Sequence, residues 1–206
     1  MQEGAVTVAG KANPLPTPFF VLATQNPIEM EGTYPLPEAQ LDRFLFKLRV
    51  QYPALEELTE IIERTTHVRE VQVHRVMTGP QVLAFRELVR EVPIASHVRD
   101  LAALIVLATH PQWDRAPEPT RRFVRYGASP RGAQALVLGA KVRALADGRY
   151  NVAVEDLRAL ALPALRHRII FNFEGEAEGV DVDRLISQTV ETAESLSGAQ
   201  KEMFLR

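Results

Sequence analysis

The sequence predicts a short α/β piece followed by an all-α domain, mostly helical overall, and three observations carry that prediction. The 206 residues are 46% apolar and 24% charged, an ordinary globular composition. Strand-like patterns are confined to the region before Gln51-Tyr52. From Pro53 onward the apolar period changes from two to about 3.6, the helical repeat. The expected division is therefore 1–52 for the strand-rich piece and 53–206 for the helical domain.

Each element follows from local signals. Val6-Thr7-Val8 reads as a strand, Gly10 and Asn13-Pro14 as turn punctuation, and Phe19 to Ala23 as a second strand. That second run is apolar throughout, which suits a strand covered on both faces of a parallel sheet. Phe44 to Val50 is a third candidate strand, with Phe44, Phe46, Leu48 and Val50 on one side. Pro53 fits the start of a helix with Leu55, Leu58, Ile61 and Ile62 on one stripe, ending near Arg64. His67 to Met77 is ambiguous between loop and short strand. Thr78 with Gln81 forms a capping box for a helix through about Arg90, and Ser96 is the expected cap of another through about Thr109. Pro111 to Gly127 reads as a proline-rich loop. A helix over Pro130 to Ala146 stops at Asp147-Gly148. Two shorter helices separated at Pro163 follow, then a last one from about Asp183 to Ser197.

Composition excludes several classes. A formal net charge of −2 gives no overall pull toward nucleic acid or acidic membranes. With no cysteine there is no disulfide, thiolate metal site or cysteine nucleophile. The longest apolar runs, such as Leu101 to Ala108, fall far short of the roughly 20 residues of a membrane helix. Met1-Gln2-Glu3-Gly4 lacks the cationic start and apolar stretch of a secretory signal, so the expected location is the cytoplasm.

Three stretches offer chemistry. Thr24, Gln25 and Asn26 fall at the carboxyl end of the predicted Phe19 to Ala23 strand, where open α/β sheets bind ligands. The Asn26 amide offers a donor and an acceptor, suited to holding a phosphate oxygen and an attacking water together; Asn26-Pro27 is equally a plain turn starter. Arg43, in Leu41-Asp42-Arg43-Phe44, either meets the negative pole of a short helix begun at Pro37 or reaches a neighbouring subunit's nucleotide. In Ser129-Pro130-Arg131-Gly132, serine caps a helix, Pro130 occupies its first turn, and Arg131 sits beside the positive pole of the dipole. An anion held between Arg131 and the free N–H groups removes that conflict; a solvated arginine pointing off the axis avoids it. Arg121, Arg122 and Arg125 lie just upstream, as a polyanion site or a charged surface.

Other chemistries fail on inspection. Gly127 to Gly132 has one residue too many for a GxSxG elbow. His67, His74, His97, His110 and His167 show no HExxH or i, i+4 pairing for zinc. Glu174, Glu176 and Glu178 read as a solvated linker rather than a cation site. Gly10-Lys11 is followed by Ala12, with Ala5 where the first glycine of a phosphate-cradling loop belongs, so these residues hold no P-loop.

Taken together, ATQNP after an apolar strand, EGTYPLPEAQLDRF, and a later GASPRG opening a helix resemble the MoxR family of AAA+ ATPases over roughly Met1 to Phe171. The resemblance implies that residues 1–52 are the end of an αβα nucleotide-binding subdomain and 53–206 its helical lid. It makes Asn26 the sensor 1 residue, Arg43 the arginine finger acting in trans and Arg131 sensor 2, with Thr24, Gln25 and Pro130 beside the nucleotide. MQEGAVTV resembles the segment after a Walker B strand, which puts Walker A and B upstream. It also implies ATP and Mg²⁺ as cofactors, a homo-oligomeric ring, a hexamer, and chaperone-like work on partners such as von Willebrand A domain proteins. The 206 residues alone are expected neither to hydrolyse ATP nor to hold it tightly. Two alternatives remain: a helical protein-interaction module with idle motifs, and an AAA+ relative acting on nucleic acid or in metal chelation, the former of these disfavoured by the balanced charge. Glycine at position 132, where the family commonly has alanine, weakens the helix start by up to about 1 kcal/mol. Because Phe19 to Ala23 and Phe44 to Val50 lack their common sheet neighbour, residues 1–52 are expected to pair with another chain or to be poorly ordered, whereas the helical lid from Pro53 is expected to fold by itself.

Overall fold

The computed structural model describes residues 4–26, 36–67 and 72–204, with side chains described through residue 198. Its core lies between four helices, α4 (Ser96–Leu107), α6 (Pro130–Ala146), α7 (Val154–Leu165) and α9 (Val182–Phe204). Each buries one stripe. In α4 the buried residues are Val98, Leu101, Ala102, Ile105 and Val106, the spacing of a single helical face. The buried stripe of α6 is built from small residues, Gly132, Ala135, Gly139, Ala140 and Ala144, around Leu136. Small side chains let α7 approach closely, so that Leu157, Ala161, Ala164 and Leu165 complete the layer. Leu185, Ile186 and Val190 of α9 close it.

The predicted caps are largely realised. Thr78 and Gln81 form both bonds of a capping box at the start of α3 (Gly79–Glu91). Ser129 accepts from the Arg131 N–H, and Gly148 ends α6 with φ +70. The Pro53 signal yields α2 (Leu55–Thr66), none of whose residues is buried.

Several sequence expectations are overturned. Residue 95, not Ser96, is the cap of α4, and its side chain makes no capping bond. The Pro111 to Gly127 stretch is not all loop: it contains α5 (Glu118–Phe123) and β3 (Val124–Tyr126). Pro119 sits in the first turn of α5, where a missing N–H costs nothing, so the prolines start a helix instead of preventing one. Pro163 does not split α7, because it falls near the C-terminal end while Ala161, Ala164 and Leu165 are held in the core. The Glu174 to Glu178 linker is largely α8 (Phe173–Ala177), begun by Asn172 accepting from the Gly175 N–H at 2.9 Å. It follows β4 (Ile170–Phe171), which pairs antiparallel with β3 through a bulge. His67 to Met77 lies partly outside the described residues, and residues 72–78 form no strand.

The amino-terminal strands are also corrected. Val6 to Val8 does form a strand, as β1 (Ala5–Val8), but it pairs with β2 (Lys11–Pro14) in a hairpin turned by Ala9 and Gly10, both at positive φ. Phe19 to Ala23 is not a strand; among the described residues no strand runs beside it, and Phe20 and Leu22 are 78% and 85% exposed. Phe44 to Val50 is not one either, and its backbone groups show why. The Phe44 carbonyl accepts from His167 and Arg168, the Leu45 carbonyl from Arg168 and the Lys47 carbonyl from Arg166, while the Lys47 N–H donates to the Pro163 carbonyl at 2.8 Å. Those groups are satisfied by the helical domain instead of by a neighbouring strand. Phe46 packs against the helical core.

Candidate functional site

At the start of α6 Arg131 meets an anion that belongs to the protein itself. The Asp42 carboxylate, in the turn after α1 (Glu38–Leu41), accepts from the Ser129 hydroxyl at 2.8 and 2.9 Å. It also accepts from the Arg131 guanidinium at 2.9 Å. Ser129 thus donates to a carboxylate while accepting from the Arg131 N–H at 3.2 Å. A negative charge at this pole offsets the placing of Arg131 in the first turn.

A second guanidinium reaches the same carboxylate from beneath. Arg168, 5% exposed, donates through Nε to Asp42 Oδ1 at 3.0 Å. Its Nη2 donates to the carbonyls of Asp42 at 3.0 Å and Phe44 at 2.6 Å. Nη1 donates to the carbonyls of Leu45 and Ala164. Burial by itself raises the Asp42 pKa, but the bonds from Ser129 and Arg131 and the charge of Arg168 outweigh it and hold the carboxyl below its ordinary range. Burial also lowers the pKa of Arg168, partly offset by Asp42.

The two residues before Arg168 fasten the same segment. His167 Nε2 lies 3.0 Å from the Phe44 carbonyl, which can only accept, so this nitrogen carries the proton. Burial pushes the His167 pKa down to about 4, so the ring is neutral near pH 7. Arg166 binds Asp183 in a two-pronged pair, both distances 3.0 Å, and donates to the Lys47 carbonyl. Arg49 reaches the same carboxylate at 2.9 Å.

The predicted site residues are distributed as follows. Arg131 and Pro130 open α6, with Arg131 in the cluster just described. Arg43 is exposed and adjoins Asp42, so the backbone of Arg43 and the side chain of Arg131 are brought together through one carboxylate. Thr24, Gln25 and Asn26 are exposed, in backbone without regular structure. Of the upstream arginines, Arg122 is committed to Glu174 and Glu178, each at 2.7 Å through separate nitrogens, which gives those glutamates a partner within the chain. Among the described residues no group of three histidines or carboxylates could hold a metal ion, and no helix is long and apolar enough to cross a membrane.

Sequence reasoning gave no role to Asp42, Arg166, His167 or Arg168. For Arg168 a signal existed, since it directly precedes Ile169-Ile170, an unusual setting for a solvated arginine.

Comparison with known proteins bears on what this arrangement is. Residues 1–46 match the ATPase family associated with various cellular activities (AAA), and residues 119–189 match the AAA lid domain. The chaperone MoxR1 of Mycobacterium tuberculosis is 36% identical over 93% of this chain and 51% of its own length. The chain belongs to the MoxR family of AAA+ ATPases. The uncharacterized protein YeaC of Bacillus subtilis is 38% identical over 91% of this chain and 56% of its own length. A crystal structure from Cytophaga hutchinsonii, of a protein classed as an ATPase, superposes with a TM-score of 0.86 at 38% identity, covering 93% of this chain and 58% of that one. The chain thus spans about half the length of the curated relatives it matches.

Proposed function

We propose that this chain contributes the sensor 1, arginine-finger and lid portions of a MoxR ATPase that hydrolyses ATP between the subunits of a cytoplasmic ring and remodels or assembles partner proteins. The observation that carries the reading is the start of α6, where the Arg131 guanidinium and the Ser129 hydroxyl already bind an anion, the Asp42 carboxylate. A γ-phosphate shares the negative sign and the oxygen acceptors of a carboxylate, so these residues fit that part of ATP. The Mg²⁺ that accompanies ATP in such enzymes is assigned to no residue of this chain.

ATP, when bound, supplies the phosphoryl group that is transferred to water. Arg131 would neutralise charge on the terminal phosphate, and the Asn26 amide would orient the attacking water, with Thr24 and Gln25 setting the backbone that carries it. Arg43, exposed at its turn, would act on the nucleotide of the adjoining subunit. The exposed apolar side chains of Phe20, Leu22, Leu48 and Val50 support a reading in which assembly covers them. Von Willebrand A domain proteins remain the partner class that the family suggests.

The test is steady-state ATP turnover by a full-length MoxR ATPase carrying these residues. Arg43→Ala and Arg131→Ala are each expected to lower kcat by about 10³-fold or more if they act as finger and sensor. In rings mixed from the two variants, partial activity is expected to return at interfaces that join a wild-type Arg43 to a wild-type Arg131. Wild-type turnover in both single variants would refute the assignment. The 206 residues by themselves, holding no P-loop, are expected to show no turnover.

A further inference from the structure

We propose that Asp42 is a positioning residue coupling Arg131 to the backbone that presents Arg43, so that what Arg131 binds sets how firmly Arg43 is held. The coupling rests on geometry within the chain, and its meaning for hydrolysis rests on the nucleotide reading above.

Three relationships support it. The carbonyls flanking Arg43, those of Asp42 and Phe44, are both gripped by one nitrogen of Arg168. The turn is closed from within by the Arg43 N–H donating to Gln40 at 3.2 Å and the Phe44 N–H to Leu41 at 3.0 Å. The Asp42 carboxylate is shared by the two guanidiniums: Arg168, whose side chain is 2% exposed, and Arg131, whose side chain is 40% exposed. Arg168 cannot leave without stripping a donor from the carbonyls of residues 42, 44, 45 and 164, whereas the partly exposed Arg131 side chain lies where an incoming anion can reach it. Loss of Arg131 removes one of two cations from a carboxylate whose acceptor sites are otherwise filled, and the turn loosens without detaching. A phosphate at the start of α6 would therefore change the hold on an arginine that faces a different subunit's nucleotide.

The coupling is read by hydrogen exchange of the 206-residue chain, following the amides of residues 43–47. Arg131→Ala is expected to speed their exchange roughly fivefold, the low end of allosteric couplings, with the centre of α6 unchanged. In an Asp42→Asn background the same substitution is expected to add nothing. Unchanged exchange in Arg131→Ala, or an equal acceleration in both backgrounds, overturns the proposal. If Asp42→Asn does not fold, the Arg168 Nε–H resonance replaces it: a shift in Arg131→Ala is expected, and an unmoved signal overturns the coupling. In a full-length ring, Asp42→Asn is expected to lower kcat while KM for ATP stays within about twofold; a rise in KM alone counts against positioning. Intact exchange coupling together with wild-type turnover in Arg43→Ala and Arg131→Ala would retire the nucleotide reading and leave the coupling standing.

Discussion

Arg168 Nε and Asp42 Oδ1 lie 3.0 Å apart across 126 positions of sequence, with the arginine side chain 2% exposed and the aspartate 16%. The pair fastens an amino-terminal turn to the helical domain. Arg168→Ala leaves the Asp42 carboxylate without its buried cation and strips a donor from the carbonyls of residues 42, 44, 45 and 164. The expected loss is about 3 to 5 kcal/mol, the range for breaking one partner of a buried pair. Urea unfolding checks it. Arg168→Lys keeps the charge without the fork, so it should recover part of the loss but not all of it.

His167 predicts a pH dependence. Its folded pKa is about 4, below the ordinary 6.5, because burial disfavours the charged ring. Protonation would also place an N–H on Nδ1, which is buried without a hydrogen-bond partner. Between those two values the unfolded chain binds more protons than the folded one, so stability is complete above about pH 6.5 and falls as pH drops toward 4. Thermal melts from pH 7.5 to 4.5 should show that decline in the wild type. His167→Gln, which keeps a donor for the Phe44 carbonyl, should flatten it.

Asp156 gives a second, more acidic limb. It is 1% exposed, accepts from Arg149 at 2.6 and 2.8 Å, and accepts from the Ala153 N–H at 2.9 Å at the start of α7. The Arg149 bonds lower its pKa against the opposing effect of burial, and Asp42 is lowered as well. For a depressed carboxylate the stabilisation is present above the unfolded pKa of about 3.9 and is lost as pH falls through the folded value. Unfolding free energy measured between pH 5 and 2 should therefore fall steeply. Asp156→Asn should lower stability by about 1 to 3 kcal/mol at pH 7 and make the acid limb shallower.

Helices are legible where a cap and the helical period agree: α3 and α6 are readable from Thr78-Gln81 and Ser129-Pro130, and α6 ends where Asp147-Gly148 predicts. The errors share a cause. Phe19 to Ala23 and Phe44 to Val50 have strand-like sequence, but a strand exists only through a partner, and the second run spends its carbonyls on Arg166, His167 and Arg168 instead. The prolines of Pro111 to Gly127 suggest a loop and Pro163 a break, yet position within a helix decides what a proline costs. Arg131 could be singled out from its conflict with the helix pole. Asp42, which resolves that conflict from 89 positions away, could not, since local sequence carries no record of distant contacts.

Gly127 yields the last prediction. It lies between β3 and α6, in the stretch that opens with Gly127-Ala128-Ser129, where no unusual φ requires glycine. Its constraint is space: a Cβ there would meet the backbone oxygen of Thr109 at 2.6 Å and its carbonyl carbon at 2.7 Å. Thr109 cannot yield easily, because it is fully buried, donates its hydroxyl to the Val106 carbonyl at 2.6 Å and accepts from the Ala128 N–H at 2.9 Å. Alanine would therefore push apart the end of α4 and the loop that sets the start of α6, at a cost of about 1 to 3 kcal/mol. The Ser129–Asp42–Arg131 arrangement should shift with it, since Ser129 is only two residues on. Gly148→Ala is the control: its positive φ strains alanine, but nothing lies within 4 Å, so it should lower stability without disturbing that site. Denaturant midpoints report the stability of both variants, and the Arg131 Nε–H resonance should move only in Gly127→Ala.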